Sequence, residues 1–492
     1  MLVSRQLLSL CIKHNDPNLR LHITVATSGL EKPMAVDVIA TDARNDWSYL
    51  AEGSASMVFS YVGPSHPTYN GRVLRLRKAS RQNSRQSLPY NPCDMIPAES
   101  DDPSIAFQET VTSKLIPKEC LPSLQAGKVN FHWLTELAGV AELRRPVERV
   151  VKDGIDLYRC KAVLATDLVG GSGWAIEIKV IMPCRIATRT EDPTKPKWGF
   201  LPSPAYLSPS TRHLKTQHCR FCMHAHLKGM EGSSMVTKYC PLDLFSGDET
   251  RVRKALRNLW EAWVGSHGKV NNLRLFNEGK VVEPGDVSLF LPCSTHTLTS
   301  KQAHAVSCLG RKLHCSKLSM SLPDLMPSVI DATVPMILGN SVFSTLGNLQ
   351  RTLDYLDIEG LSQLWSRFHP GLSLGQGEAE PTLSEWDDFI RTYLSGGEDT
   401  LRYGILAYIL SATFKDCSVM LWFDNTGETE NTLTVIDLDP KSVSRLSEWE
   451  ALDRNIIENF AGAAAADKGM VCIDASRVFG ELRNSSDPKP KT

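Results

Sequence analysis

The chain has 492 residues, 42% hydrophobic and 22% charged, with 54 basic against 55 acidic side chains and a formal net charge of -1. These are the proportions of an ordinary globular protein, long enough for two or three domains or for one enzyme with a long cleft between two lobes; they exclude a disordered chain and a molecule-wide field that would gather polyanions. Thirteen cysteines scattered over that length are too sparse for a disulfide scaffold, so reduced thiols and no disulfides are expected.

Residues 1–33 carry Arg5, Lys13 and Arg20 against one acid, Asp16. They read as a disordered extension, with a transit segment or an over-extended reading frame ahead of Met34 as alternatives. From Trp47 to Lys78 apolar residues alternate, as in MVFSYV and RVLRLR, around a turn-rich stretch from Gly63 to Gly71, which predicts a β-hairpin. A Ser-, Asn- and Gln-rich linker follows from Ser80 to Pro103. Residues 104–153 show apolar spacing of three and four through KLIPKECLPSL and FHWLTELAGVAEL, which predicts helix. CKAVLATDL and WAIEIKVI read as strands.

Residues 248–264 give the clearest helix: Asp248 and Glu249 suit its N-terminus, and Val252, Leu256, Leu259 and Trp263 form one apolar stripe that belongs in a core. Residues 281–350 are Ser-, Thr- and Pro-rich and weakly periodic, which predicts a partly ordered insertion. Gly404 to Phe414 is apolar but far shorter than the roughly 20 residues that span a bilayer, so it reads as a buried helix, and no transmembrane segment is expected. A strand CSVMLWF, a polar turn NTGETEN and a strand LTVIDLD follow, and the tail from Asn484 is disordered by composition.

In an antiparallel hairpin the start of one strand lies beside the end of the other, so Asp416 and Asp437 meet at one end of the last strand pair. Paired carboxylates suit phosphoryl transfer, one orienting or deprotonating a hydroxyl and the other holding a metal that bridges ATP phosphates; two unrelated strand-end aspartates would look the same. The small residues of Glu52-Gly53-Ser54-Ala55-Ser56 let backbone N–H groups approach a phosphate, or form a plain turn. Arg75 follows as a cation that faces either that loop or solvent. The run from Arg72 to Arg85 holds six Lys and Arg and no acid, which suits a ligand bearing many phosphates or a solvated basic face. Without aromatic interleaving, nucleic acid is not an expected partner. Cys219-x-x-Cys222, then His224, His226 and Cys240, supply the residue types of a closed zinc site, with Cys219, Cys222, Cys240 and His226 as candidate ligands; buried free thiols are the alternative.

Several runs in chain order, EIK with PKWGFLP, CRFCMH, KYCPLDLFSG, NNLRLF, LDIEGL, KDCS, and IDLD followed by Lys441, make the chain resemble inositol-pentakisphosphate 2-kinases from about Trp47 to Phe460. The resemblance implies a two-lobed kinase-like α+β fold, with an N-lobe over 34–165, a C-lobe over 166–480 and a disordered tail over 481–492. It also implies a monomer in the nucleus or cytoplasm that uses ATP and Mg2+ to convert inositol 1,3,4,5,6-pentakisphosphate to the hexakisphosphate. Carried over by position, Gly53, Ser54, Ala55 and Arg75 would hold ATP, Asp167 and Glu177 would contact the nucleoside, and Lys179 would reach the phosphates at the reacting centre. Asp416 would be the acid/base for the 2-hydroxyl and Asp437 the magnesium ligand, while Arg149, Lys197, His224, Lys228, Asn272, Arg274, Lys441 and Arg445 would line the inositol phosphates.

Trp449 stands where the family often has a tyrosine, and the zinc motif of plant relatives beyond LDIEGL is absent. The family's continuous EIKPKWGFLP is interrupted here by the sixteen residues from Val180 to Lys195, which read as a retained short intron or a lineage-specific loop. A catalytically inactive inositol-phosphate-binding scaffold and a zinc-dependent nucleic-acid module around Cys219 are the competing readings.

Overall fold

In the computed structural model the described residues are 35–53, 55–81, 100–171, 173–179, 200–230, 237–268, 270, 272–282, 284, 309–313, 322–424, 430–463 and 471–474. The N-terminal extension, most of the Ser80–Pro103 linker, Ser54, the interruption 180–195, Lys197, most of the NTGETEN turn and the tail from Asn484 lie outside them.

The architecture is mixed α+β with two sheets. Strands β1 (Val36–Asp37), β2 (Trp47–Glu52), β3 (Ser56–Tyr61) and β4 (Arg72–Ser80) come first, then helix α1 (Pro103–Thr110), β5 (Leu124–Lys128), α2 (Phe131–Glu142), α3 (Val147–Lys152), β6 (Asp153–Ile155) and β7 (Lys161–Thr166). They form a seven-stranded sheet in the order β1-β5-β7-β4-β3-β2, with β6 against β4. The expected hairpin is thus part of a larger meander: the Gly53 loop joins β2 to β3, and the longer turn at 63–71 joins β3 to β4. Residues 114–124 are not helical; Pro117 and Pro122 break the pattern, leaving short 3-10 turns before β5.

The second half opens with β8 (Trp174–Lys179), then α4 (Pro209–Lys215), α5 (Arg220–Met230), α6 (Pro241–Leu244), α7 (Glu249–Gly265), β9 (Leu273–Asn277) and β10 (Lys280–Val282). Helices α8 (Leu322–Gly339), α9 (Val342–Leu353), α10 (Asp357–Phe368), α11 (Leu383–Leu394) and α12 (Leu401–Lys415) lead to β11 (Ser418–Phe423), β12 (Thr432–Ile436) and α13 (Leu446–Gly462). The second sheet is antiparallel throughout, in the order β10-β9-β8-β11-β12.

Helix α7 forms as its sequence predicts. The Asp248 side chain accepts from the Arg251 N–H, a cap worth about 1 kcal/mol, and the Val252/Leu256/Leu259/Trp263 stripe is buried. Helix α12 is buried from Tyr403 to Lys415, as a core helix should be. No single described helix is long and apolar enough to cross a membrane.

Within 281–350, residues 283, 285–308 and 314–321 lie outside the described residues; over 322–350 the expectation of a partly ordered insertion is corrected by α8 and α9. Leu325, Val329, Ile330, Val334 and Ile337 recur at helical spacing and are buried. At about 1.5–3 kcal/mol per buried aliphatic side chain they outweigh two interior prolines, Pro327 and Pro335, that cost about 3 kcal/mol each. Cys160 is disulfide-bonded, which corrects the expectation of none; scatter along a chain does not say which thiols the fold brings together. The thiols of Cys120, Cys219, Cys222, Cys240, Cys417 and Cys472 are free.

Candidate active site

A cavity of about 320 Å³ lies between the two sheets. Leu50, Val58, Val73 and Ala165 wall it from the first sheet; Phe276, Met420 and Ile436 wall it from the second. Gly53, Arg75, Asp167, Glu177, Lys179, Arg274 and Asp437 line the same space. The chain thereby brings together seven of the residues its sequence singles out, drawn from positions 53 to 437. An apolar slot with cations and a carboxylate at its edge can take a flat aromatic base and lead a phosphate chain outward.

Strand β8 is central in its sheet, and alternation along it puts Glu177 and Lys179 on one face. Glu177 is buried, with one carboxylate oxygen 3.1 Å from Lys179 Nζ and the other 3.6 Å from Nη1 of Arg274, its partner across β9. One carboxylate thus fixes two cations that point into the cavity. Arg75, on β4, lies 3.5 Å from Asp439, just beyond β12, so it faces the cavity and not open solvent. Asp167 accepts from the Val169 and Gly170 N–H groups and from Ser60 Oγ. Gly170 is needed there, since a Cβ would sit 2.5 Å from the Asp167 carboxylate.

Asp416 and Asp437 do meet at one end of the sheet. Ser418 pairs with Ile436 on one side and with Lys179 on the other. Asp416 caps the C-terminus of α12 two residues before β11, and Asp437 follows β12 directly, with φ at 61°, a left-handed conformation rare outside glycine. Ser418 Oγ donates to Asp437 Oδ2 at 3.2 Å, and Lys441 Nζ donates to Asp416 Oδ2. Asn272 is buried; its backbone carbonyl accepts the Lys179 N–H at 2.8 Å, while its side-chain oxygen has no hydrogen-bond partner among the described residues. Arg149, on α3, donates from Nη1 to the Gly53 carbonyl at 3.1 Å, beside the loop.

His224 and Lys228 share one face of α5 with Arg220, which pairs with Asp453 of α13. Neither lines the cavity. Arg445 caps the start of α13 and pairs with Glu448 at 3.0 Å. Trp449 is buried among core side chains, so it does not replace a tyrosine hydroxyl at a surface. Much of the basic run from Arg72 is engaged within the protein: Arg77 binds Asp102, and Lys78 binds the buried carboxylates of Glu52 and Asp153.

The cysteine cluster assembles with a different fourth member. The sulfurs of Cys219, Cys222, Cys240 and Cys472 all lie within 4.8 Å of one another, with Cys219 to Cys240 at 3.8 Å and Cys240 to Cys472 at 3.9 Å. A tetrahedral zinc with Zn–S bonds of about 2.3 Å requires sulfurs about 3.8 Å apart, so the donor set fits. His226 is not part of it: one turn further along α5, its ring packs edge-on against Phe460. Cys472 is held by its N–H to the Gln217 carbonyl, and no short spacing in the sequence could have announced it.

A family model described as inositol-pentakisphosphate 2-kinase matches residues 49–455. The chain is 30% identical over 441 residues to a protein of that name from Cryptococcus neoformans var. neoformans, covering 84% of this chain and 92% of the relative. A relative of the same name from Danio rerio is 25% identical over 498 residues, 86% of this chain and 94% of the relative. One from Arabidopsis thaliana is 24% identical over 455 residues, 84% and 92%.

Proposed function

The chain belongs to the inositol-pentakisphosphate 2-kinase family, and we propose that it transfers the terminal phosphoryl group of ATP to the 2-hydroxyl of inositol 1,3,4,5,6-pentakisphosphate, giving the hexakisphosphate. The observation that carries this reading is the convergence of Lys179, Glu177, Arg274, Arg75 and Asp437 on one cavity with apolar walls, with Asp416 and Lys441 at the same sheet end. We take the first sheet and its helices as one lobe of a kinase-like arrangement, the second sheet and its helices as the other, and the cavity as the nucleotide cleft.

In this mechanism the base lies between the apolar walls and the phosphates run past the Gly53–Ala55 loop and Arg75 toward Lys179. Asp437 supplies a hard oxygen ligand at the cleft, suited to Mg2+, which when bound with ATP neutralises phosphate charge. Asp416 accepts the proton of the attacking hydroxyl, and Lys441 orients its carboxylate. Arg149, Arg274, Asn272, Lys441, Arg445, His224, Lys228 and Lys197 hold the acceptor's phosphates; arginines suit a crowded polyanion because they bind bidentately.

Incubation with labelled ATP and inositol pentakisphosphate, followed by location of the new phosphate on the ring, tests the reading. Label at the 2-position is expected; tight acceptor binding without any transfer would instead favour the inactive scaffold. Arg149→Ala and Arg274→Ala are each expected to raise KM for the inositol phosphate about 10- to 100-fold, the worth of one charged hydrogen bond, and KM for ATP by clearly less, since Arg274 also lines the nucleotide cleft and Arg149 also binds the Gly53 carbonyl. Equal losses for both substrates would contradict the acceptor assignment.

For the four cysteines we propose a structural zinc that fastens the segment at Cys472 to α5 and α6. Metal analysis of protein purified without added zinc is expected to find about one zinc per chain, and Cys219→Ser to lose both the metal and thermal stability. Folded protein of normal stability with no zinc would refute this.

A further inference from the structure

Outside the cleft, buried charge is concentrated where α12 ends. The three residues before Asp416 are each tied to a residue far away in the chain, two of them to one helix. Thr413 Oγ1 donates to the Asp439 carbonyl at 3.2 Å, Gln350 Nε2 donates to the Phe414 carbonyl at 2.9 Å, and Lys415 Nζ donates to Asp354 Oδ2 at 2.6 Å. Gln350 lies near the end of α9, and Asp354 caps that same helix. Thr413, Lys415 and Gln350 are fully buried and Asp354 nearly so.

Stability does not explain this arrangement. Desolvating a lysine and an aspartate costs several kcal/mol per ion, and an apolar pair of similar volume serves a fold as well or better. Burial pushes the Asp354 carboxyl up to about 6 and pulls the Lys415 ammonium down. The second Asp354 oxygen has no hydrogen-bond partner among the described residues. The pair does, however, fix a direction. Successive side chains on a helix point about 100° apart, so drawing Lys415 back against α9, with the Tyr408 ring 4.8 Å from its ammonium, sets the rotation at which Asp416 leaves the helix.

We propose that Asp354 and Gln350 are positioning residues for the Asp416 carboxylate: α9 holds Lys415 and the Phe414 carbonyl, and thereby aims Asp416 at the reacting hydroxyl. The proposal rests on the reading of Asp416 as the proton acceptor. A displacement of about 1 Å at a reacting group can lower a rate about 100-fold while ground-state binding is retained.

The test compares Asp354→Asn, Gln350→Met and the apolar double variant Asp354→Leu/Lys415→Met, with Asp416→Asn as reference. Turnover is measured per molecule competent to bind both substrates, with binding followed by calorimetry. Both single variants are expected to bind ATP and inositol pentakisphosphate within about threefold of the parent and to lose about 10- to 100-fold in kcat. The double variant is expected to regain thermal stability without regaining rate. A merely structural role would restore rate and stability together in the double variant, and kcat within twofold of the parent in both single variants would overturn the proposal. If Asp354→Asn does not fold, Gln350→Met and the double variant decide. Should Asp416→Asn itself keep its turnover, the acid/base reading fails; an inactive Asp416→Asn beside fully active α9 variants defeats the positioning role alone.

Discussion

Replacing Asp416 by asparagine is expected to lower turnover about 10²- to 10⁴-fold, the usual contribution of a positioned acid or base, while inositol phosphate binding stays within a few-fold of the parent. Asparagine has nearly the same shape, and its side-chain oxygen can still accept from Lys441 in place of Asp416 Oδ2. The substitution therefore deletes a proton acceptor without emptying a space or stranding the lysine. Equilibrium binding of inositol pentakisphosphate together with single-turnover phosphoryl transfer separates the two effects. Near-normal single-turnover rates would remove Asp416 from the reaction, and a parallel loss of binding would make it part of the acceptor pocket instead.

What could be read from the sequence was whatever depends on short-range periodicity or on strand pairing. The α7 stripe, the buried α12 and the meeting of Asp416 with Asp437 follow from spacings of three, four and two residues, and each formed as expected. The loop at Gly53 was likewise placed by its small residues between two strands. What could not be read depends on partners far away in the chain. Lys78 looks like one more cation in a basic run, but its ammonium lies between Glu52 and Asp153, and only the fold could show that charge to be already neutralised. Cys472 joins Cys240 across 232 positions. The α8 helix was hidden for a different reason: its two prolines argue locally against helix, and only the buried face against α7 outweighs them.

The carboxylate of Asp437 is expected to govern the metal requirement, so Asp437→Asn should lower turnover at ordinary Mg2+ by about 10²- to 10³-fold, the rate equivalent of several kcal/mol of charge stabilisation, and part of that loss should return as Mg2+ is raised. The backbone makes asparagine the informative choice. Asp437 has a φ of 61°, and asparagine tolerates that region better than any other non-glycine side chain, so the turn after β12 is kept and only the charge is removed. Ser418 Oγ, which donates to Asp437 Oδ2, still finds an oxygen to accept its proton. Asp437→Gly separates the two contributions: it relaxes the backbone and removes the carboxylate, so it should match or exceed the asparagine variant in its Mg2+ dependence while being no less stable. Titrations of activity against Mg2+ at saturating ATP measure this directly. A Mg2+ dependence identical to the parent in both variants would mean that the strained aspartate shapes the cleft but does not bind the metal, and the hard-oxygen role would then pass to Asp439, two residues on, which lines the same cavity and holds Arg75.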